Sequence, residues 1–322
     1  MKKIFISDYL RELSIEDEIL NNYTLVQNKK DLKECVGALL WHEKFPDNFI
    51  NSNKLKAVSR YGAGIDNIDL SFCKRNKIRV CNTADYGVDE VSNTALAFLL
   101  WCARGIGNYS DLALTLNDGS WESNVNTSLR RIKTQTLGII GLGRIGSSLA
   151  IKANFLGFNV MGFDPNQIAG HEKIINIKRV KNLNELLLDS DYISLNCDLN
   201  KSSFELVNDE FLNKLKPSAS IINTARGSII KSVDHILDRI LDGKLANFAT
   251  DVLPEEPICE KLQSKIKSNK KLLQNVLITP HVAFYSSDSF KEMRIKAATN
   301  LKNMLVSDYL SFEEKNLFRN LY

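Results

Sequence analysis

The 322 residues carry 42 Lys and Arg against 38 Asp and Glu, a formal net charge of +4, with 44% hydrophobic and 25% charged residues. This is the profile of a soluble globular chain with enough apolar material for two cores, and it argues against a disordered or membrane-embedded protein. The basic residues are dispersed rather than blocked together, so neither nucleic acid nor an anionic membrane is expected as a partner.

The six cysteines (Cys35, Cys73, Cys81, Cys102, Cys197 and Cys259) lie far apart and form no C-x-x-C pair. No metal site or redox motif is expected from them, and most read as buried free thiols. At the N-terminus, Lys2 and Lys3 precede an apolar run, Ile4 to Ile6, too short for a signal-peptide core. No segment approaches the roughly 18 apolar residues of a membrane span. A cytoplasmic location is the expectation.

In chain order, short apolar runs at residues 4–6, 23–26, 36–41, 56–59 and 78–81 alternate with polar, partly helical stretches. That alternation predicts a parallel sheet with helices on both faces. Residues 88–103 predict a long apolar helix opening on Asp89 and Glu90, which suits the positive end of its dipole. A polar stretch follows at 105–134, with Trp121 and the basic pair Arg130 and Arg131. Further strands are predicted at 136–140, 159–163, 192–197, 219–223, 247–252 and 276–279. Helices fall between them at 183–188 and 233–241, the latter stopped by Gly243. A last helix is predicted beyond 286, capped by Ser287 or Ser289, with Phe290, Met293, Ala297, Leu301 and Met304 on one face.

The chain is organised around residues 136–146, where a short apolar strand runs into Gly141, Gly143 and Gly146, a G-x-G-x-x-G turn, and then a helix predicted at 147–157. Gly141 allows the tight turn, Gly143 lets backbone amides approach a pyrophosphate, and Gly146 lets the helix pack on the strand. A second strand ends at Asp164, about eighteen residues past Gly146, where a ribose-binding acid belongs. The spacing points to a dinucleotide. A carboxylate there accepts from a free 2′-hydroxyl and repels a 2′-phosphate, and Pro165, Asn166 and Gln167 supply no cation to offset it, so NAD is expected over NADP.

An enzyme moving a hydride must also polarise the substrate carbonyl, exchange a proton with its oxygen and hold its carboxylate. Three predicted strand ends offer suitable groups. Asn223-Thr-Ala-Arg-Gly-Ser228 ends a strand in Arg226, whose guanidinium can fork onto a 2-oxo acid. Asp251-Val-Leu-Pro-Glu-Glu-Pro257 supplies Glu256, an acceptor for a histidine. Ile278-Thr-Pro-His-Val-Ala-Phe-Tyr285 supplies His281. His171 and His235 fall in polar or helical segments, and His42 beside Trp41 is ambiguous. An imidazole exchanges protons near neutral pH, and a carboxylate such as Glu256 favours its charged form. Earlier, Arg60-Tyr-Gly-Ala-Gly-Ile-Asp66 places the N–H groups of Ala63 and Gly64 as a cradle for a carboxylate, with Arg60 as a nearby cation.

The order of these motifs resembles the D-isomer-specific 2-hydroxyacid dehydrogenases over nearly the whole chain. Val36-Gly-Ala-Leu-Leu-Trp-His42, Arg131-Ile-Lys-x-x-Thr-Leu-Gly138 and His281-Val-Ala-Phe-Tyr-Ser286 look most like the C-terminal-binding-protein branch and its phosphoglycerate-dehydrogenase-like bacterial relatives. The resemblance implies two doubly wound parallel-sheet α/β domains: a Rossmann NAD domain, residues 104–283, inserted into a flavodoxin-like substrate domain, residues 1–103 and 284–322. It implies Arg226, Glu256 and His281 as the catalytic set. It implies that Gly141, Gly143, Arg144, Ile145, Gly146, Asp164, Cys197, Asn200, Thr224, Ala225 and Asp251 line NAD. Arg60, Ala63, Gly64, Arg226 and Phe284 would meet a small 2-oxo or 2-hydroxy acid. A hinge helix at 88–103 and a homodimer are also implied. Phe284 stands where the C-terminal-binding proteins carry tryptophan, and Ala63 where a serine is common, so the substrate pocket is expected to differ. The expected activity is NAD-dependent hydride exchange with a small 2-oxo acid. The alternatives are a phosphoglycerate-dehydrogenase-type biosynthetic step, weakened by the lack of an appended sensing domain, and an NAD(H)-sensing corepressor or scaffold.

Overall fold

The computed structural model describes residues 1–7, 9–47, 54–115, 129–307 and 314. The chain divides into two units, residues 1–87 with 285–322, and residues 88–284.

In the first unit every expected apolar run becomes a strand: β1 Lys3–Ile6, β2 Thr24–Val26, β3 Cys35–Leu40, β4 Ala57–Arg60 and β5 Arg79–Cys81. All pairings are parallel and the order is β2-β1-β3-β4-β5, the flavodoxin-like arrangement. These strands read as unbroken apolar runs because a parallel sheet is covered on both faces. One cover is the C-terminal helix Ser287–Val306, whose Met293, Ala297, Leu301 and Met304 bury against Ile4, Ile6, Leu39 and Ala57. Its cap is Ser286 rather than Ser287: Ser286 accepts from Ser289 N–H while Ser289 Oγ accepts from Ser286 N–H, a reciprocal capping box. The same helix buries Arg294, 6% exposed, against the fully buried Glu16. No apolar periodicity announces that pair.

In the second unit the strands are β6 Thr136–Ile140, β7 Asn159–Phe163, β8 Lys178–Arg179, β9 Tyr192–Leu195, β10 Ser220–Asn223, β11 Asn247–Thr250 and β12 Val276–Ile278. The order β12-β11-β10-β9-β6-β7-β8, again all parallel, is that of a Rossmann sheet with one further strand at its edge. The two-residue β8 has no signal of its own in the sequence. The Val233–Leu241 helix spans the expected residues; Ser232 caps it, and Val233, Ile236, Leu237 and Ile240 are buried on one face. Each such side chain contributes about 1.5–3 kcal/mol.

Two expectations are corrected here. The helix after the glycine turn is Arg144–Phe155, three residues earlier than expected, because Gly143 is its N-cap and Gly146 lies within its first turn. Within the polar stretch at 105–134 the described residues form a helix, Ile106–Thr115, and a short helical turn, Ile132–Thr134; Trp121 lies outside the described residues. The chain passes from the first unit to the second at Gly87, not after Ala103, because the Val88–Arg104 helix belongs to the second core. Its Ala95, Phe98, Leu99, Cys102 and Ala103 pack with Leu137, Ile139, Leu149 and Ala153.

Among the described residues, no helix is long and apolar enough to cross a membrane. No group of three or more His, Cys, Asp or Glu residues there could hold a metal ion. Cys35, Cys73, Cys81 and Cys102 are buried, Cys197 is half-buried and Cys259 is exposed.

Candidate active site

β6 lies between β7 and β9, and the connections leave it in opposite directions, so the crevice of the second unit opens at the carboxyl ends of β6 and β9. The glycine turn fills that position. Gly141 has φ +93°, and a Cβ there would lie 2.6 Å from Cys197 N at the end of β9. A Cβ on Gly146 would overlap the Gly141 carbonyl oxygen. Gly143 is different: its φ of −70° suits any residue, and nothing lies within 4 Å of a Cβ added to it. No neighbour among the described residues demands a glycine at 143, as expected where a ligand's pyrophosphate comes against the backbone.

Two polar atoms support the same fit. Thr224 Oγ1, just beyond β10, and Asn196 Oδ1, just beyond β9, are buried without a hydrogen-bond partner among the described residues, a costly state that a bound polar ligand relieves. Asp164 closes the other side. Its Oδ2 accepts from Leu142 N–H at 2.8 Å and its Oδ1 from Asn166 N–H at 2.8 Å, which leaves acceptor capacity on both oxygens for ribose hydroxyls. The residues present therefore fit NAD, with the pyrophosphate at the start of the Arg144–Phe155 helix.

Of the other expected cofactor residues, Arg144 is exposed and Ile145 half-buried. Burial, then the charge of Asp198, pushes the Cys197 thiol up to about 11, so it is protonated at neutral pH. Asn200 shapes its own loop, since its Oδ1 accepts from Ser202 N–H, Ser202 Oγ–H and Ser203 N–H and so holds the turn after β9. Ala225 N–H donates to Asn223 Oδ1 at 3.0 Å. A cation from outside the Asp164–Gln167 stretch does stand nearby: Arg179 on β8 donates to the Asp164 carbonyl at 2.8 Å.

The expected partners His281 and Glu256 meet within the second unit. His281 Nδ1 lies 2.8 Å from Glu256 Oε2, and Glu256 Oε1 accepts from Leu253 N–H at 2.9 Å. Burial raises the Glu256 carboxyl, but hydrogen bonds from His281 and Leu253 and the charges of His281 and Arg226 outweigh it and hold the group below the usual carboxylate range. With Nδ1 engaged by the carboxylate, Nε2 is the ring nitrogen left to face a reactant. Arg226 lies three residues beyond the end of β10, and its Nη1 donates to the Ala225 carbonyl at 2.8 Å. A Cβ on Gly227 would overlap the Leu253 carbonyl, so the Arg226 loop and the Glu256 loop pack backbone on backbone.

Asp251, expected to line the cofactor, is 2% exposed. Its carboxylate accepts from Thr279 Oγ1 at 2.5 Å, Val282 N–H at 2.9 Å and Ala283 N–H at 2.8 Å, and its carbonyl accepts from His281 N–H at 2.8 Å. Those bonds hold His281 at φ +56°, a left-handed conformation costing about 1–3 kcal/mol in a non-glycine residue. Asp251 thus sets the direction of the imidazole, a role invisible in the sequence because its partners lie about thirty residues away.

Elsewhere, His171 Nε2 meets Ser147 Oγ at 2.8 Å and His235 pairs with Asp209 at 2.7 Å, both outside this pair. In the first unit, Arg60 ends β4 with its guanidinium against Gly62, where a Cβ would overlap Nη1. Ala63 is exposed and Gly64 half-buried, and the Ala63 carbonyl accepts from Asn82 Nδ2 at 2.6 Å. His42 stacks on Trp41 at 5.3 Å and meets Tyr9 edge-on at 4.9 Å. Phe284 is half-buried and closes the second unit.

Residues 96–283 match the family model described as the D-isomer specific 2-hydroxyacid dehydrogenase, NAD binding domain. The chain is 31% identical over 242 residues to a hydroxypyruvate reductase of Thermotoga maritima, covering 75% of each chain. It is 28% identical over 320 residues to C-terminal-binding protein 1 of Caenorhabditis elegans, covering 92% of this chain but only 42% of that longer protein. Among solved structures, the D-lactate dehydrogenase of Aquifex aeolicus, complexed with NAD and lactic acid, superposes with a TM-score of 0.81 at 25% identity, covering 94% of this chain and 95% of that one. Sheet order, glycine turn and family match agree: the chain belongs to the D-isomer specific 2-hydroxyacid dehydrogenases, NAD-dependent oxidoreductases that act on a CH–OH group.

Proposed function

We propose that the protein interconverts a small 2-oxo acid and its D-2-hydroxy acid, with Arg226, Glu256 and His281 as the catalytic set. The observation that carries this reading is the 2.8 Å contact between His281 Nδ1 and Glu256 Oε2, in the same unit as Arg226 and the glycine turn. Bound NAD(H) supplies or accepts the hydride. His281 Nε2 gives a proton to the carbonyl oxygen during reduction and takes it back during oxidation, while Glu256 holds the ring through Nδ1. Arg226 forks onto the substrate's carboxylate and carbonyl oxygens. Ala63 and Gly64 N–H groups, with Arg60, take the carboxylate, and Phe284 reads the side chain. Gly141, Gly143, Arg144, Ile145, Gly146, Asp164, Thr224 and Ala225 hold the cofactor, with NAD preferred over NADP. A cytoplasmic homodimer is the proposed working form.

The test is NADH oxidation with a panel of 2-oxo acids on purified protein. Turnover is expected on at least one. His281→Ala should lose about 10²–10⁴-fold in kcat with NADH binding intact, and Arg226→Ala should mainly raise KM for the acid. Tight NADH binding with no turnover on any acid would favour an NAD(H)-sensing scaffold.

A further inference from the structure

The loop carrying Asp164 is gripped by a cation that the glycine motif does not call for. Arg179 sits on the edge strand β8, in register with Gly162 of β7, two residues before Asp164. Its Nη2 donates to the carbonyls of Asp164 and Gln167, each at 2.8 Å, and its Nη1 to the Ile168 carbonyl at 3.1 Å. Glu172 Oε2 lies 3.8 Å from Nη1 and accepts from Gly170 N–H at 3.0 Å. The far side of the loop holds the glycine turn: Asp164 Oδ2 accepts from Leu142 N–H, and Gln167 Nε2 donates to the Leu142 carbonyl at 2.7 Å. Leu142, inside the G-x-G turn, is therefore gripped at both backbone groups by the loop that Arg179 ties down.

We infer that Arg179 is a positioning residue for the cofactor's adenosine ribose: it fixes Asp164 against the glycine turn and keeps the site selective for a free 2′-hydroxyl. The inference rests on the reading of Asp164 as the ribose acid. Three carbonyl dipoles turned toward one point repel one another unless a multidentate cation sits among them, and only a guanidinium offers a planar fan of N–H donors there. With its donors on backbone carbonyls and Glu172 alongside, the charge is committed to the loop rather than offered to a 2′-phosphate. A positive residue beside the ribose acid therefore supports NAD use instead of opposing it.

The experiment titrates the full-length protein with NADH, NADPH and 5′-AMP, and measures KM for NADH and kcat at saturating NADH. The variants are Arg179→Ala, Arg179→Lys and Asp164→Ala, with Arg179→Gln replacing the alanine variant if that one fails to fold. Removing the guanidinium is expected to weaken NADH and 5′-AMP by about tenfold. It should raise KM for NADH in step, leave kcat within about twofold, and narrow the preference for NADH over NADPH. Lysine should restore part of the loss. If Asp164→Ala leaves NADH affinity unchanged, the ribose assignment itself is wrong. If Asp164→Ala weakens NADH but the Arg179 variants bind NADH and 5′-AMP as the parent does, or lose kcat at unchanged KM, the positioning role is overturned.

Discussion

Replacing Gly143 and Gly146 by alanine, one at a time, separates what the fold needs from what the cofactor needs. A Cβ on Gly146 overlaps the Gly141 carbonyl oxygen and lies 3.1 Å from its carbonyl carbon and 3.3 Å from Asn196 Cβ. Backbone cannot swing aside as a side chain can, so the Arg144–Phe155 helix has to lift by about 1 Å to restore a normal C···O contact. Overpacking of this kind costs about 1–3 kcal/mol, or a melting temperature lower by about 2–12 °C at this size. At Gly143 the new methyl enters open space at a φ any residue adopts. The expected stability change is within about 1 kcal/mol, because the smaller unfolded-state entropy of alanine offsets the loss of a glycine N-cap. The same methyl stands where the pyrophosphate approaches, so NADH affinity should fall at least about tenfold. Thermal unfolding without cofactor and a fluorescence titration with NADH read the two quantities separately. If Gly143→Ala binds NADH as the parent does, or is destabilised as much as Gly146→Ala, the assignment of roles within the turn is wrong.

Two further perturbations probe charge. Arg294 donates through Nε to Glu16 Oε1 at 3.0 Å and through Nη2 to Glu16 Oε2 at 2.5 Å and the Glu12 carbonyl at 2.6 Å, while Tyr61 OH donates to Glu16 at 3.0 Å. Arg294→Met leaves a fully buried carboxylate without its cation, so urea unfolding should show a loss of about 3–5 kcal/mol, and adding Glu16→Leu should recover much of it; a single-variant loss below about 1 kcal/mol would refute this. For Glu256, the folded carboxyl is held below its ordinary range, so the folded state binds fewer protons than the unfolded chain. Its contribution is present above about pH 4.3 and is lost as pH falls through the lower folded value. His281 and Glu256 side chains are 40% and 38% exposed, and screening keeps the effect to about 1 kcal/mol or less. Glu256→Gln should flatten the acid side of the melting-temperature profile by that amount, and an unchanged profile would count against the pair.

What could be read in the sequence was local. Short apolar runs became parallel strands because each is buried on both faces, and the glycine turn was legible because overlap and open space are decided by immediate chain neighbours. Helix starts were less legible. Gly146 looks like part of a turn, yet it lies inside the helix because Gly143 already caps it, and Ser286 outcompetes Ser287 because only Ser286 has a serine three residues on to complete the box.

The side-chain contacts that the sequence hides share one physical cause. Arg294, Arg179 and Asp251 are polar groups whose positions are set by partners distant in sequence, Glu16 being 278 residues from Arg294. A charge reads as solvent-facing until its counter-ion or its carbonyls are in view, because desolvation is offset only in the folded chain. At Asp251 an acid after a strand looks like a ligand-binding group, and the bonds its carboxylate makes go to the loop that carries His281. The place of His281 in a strand-end loop was legible in the sequence, and the backbone conformation that directs it was not. Direction is what this reaction requires, since an imidazole on a relaxed backbone at position 281 would have no reason to meet Glu256 at hydrogen-bonding distance.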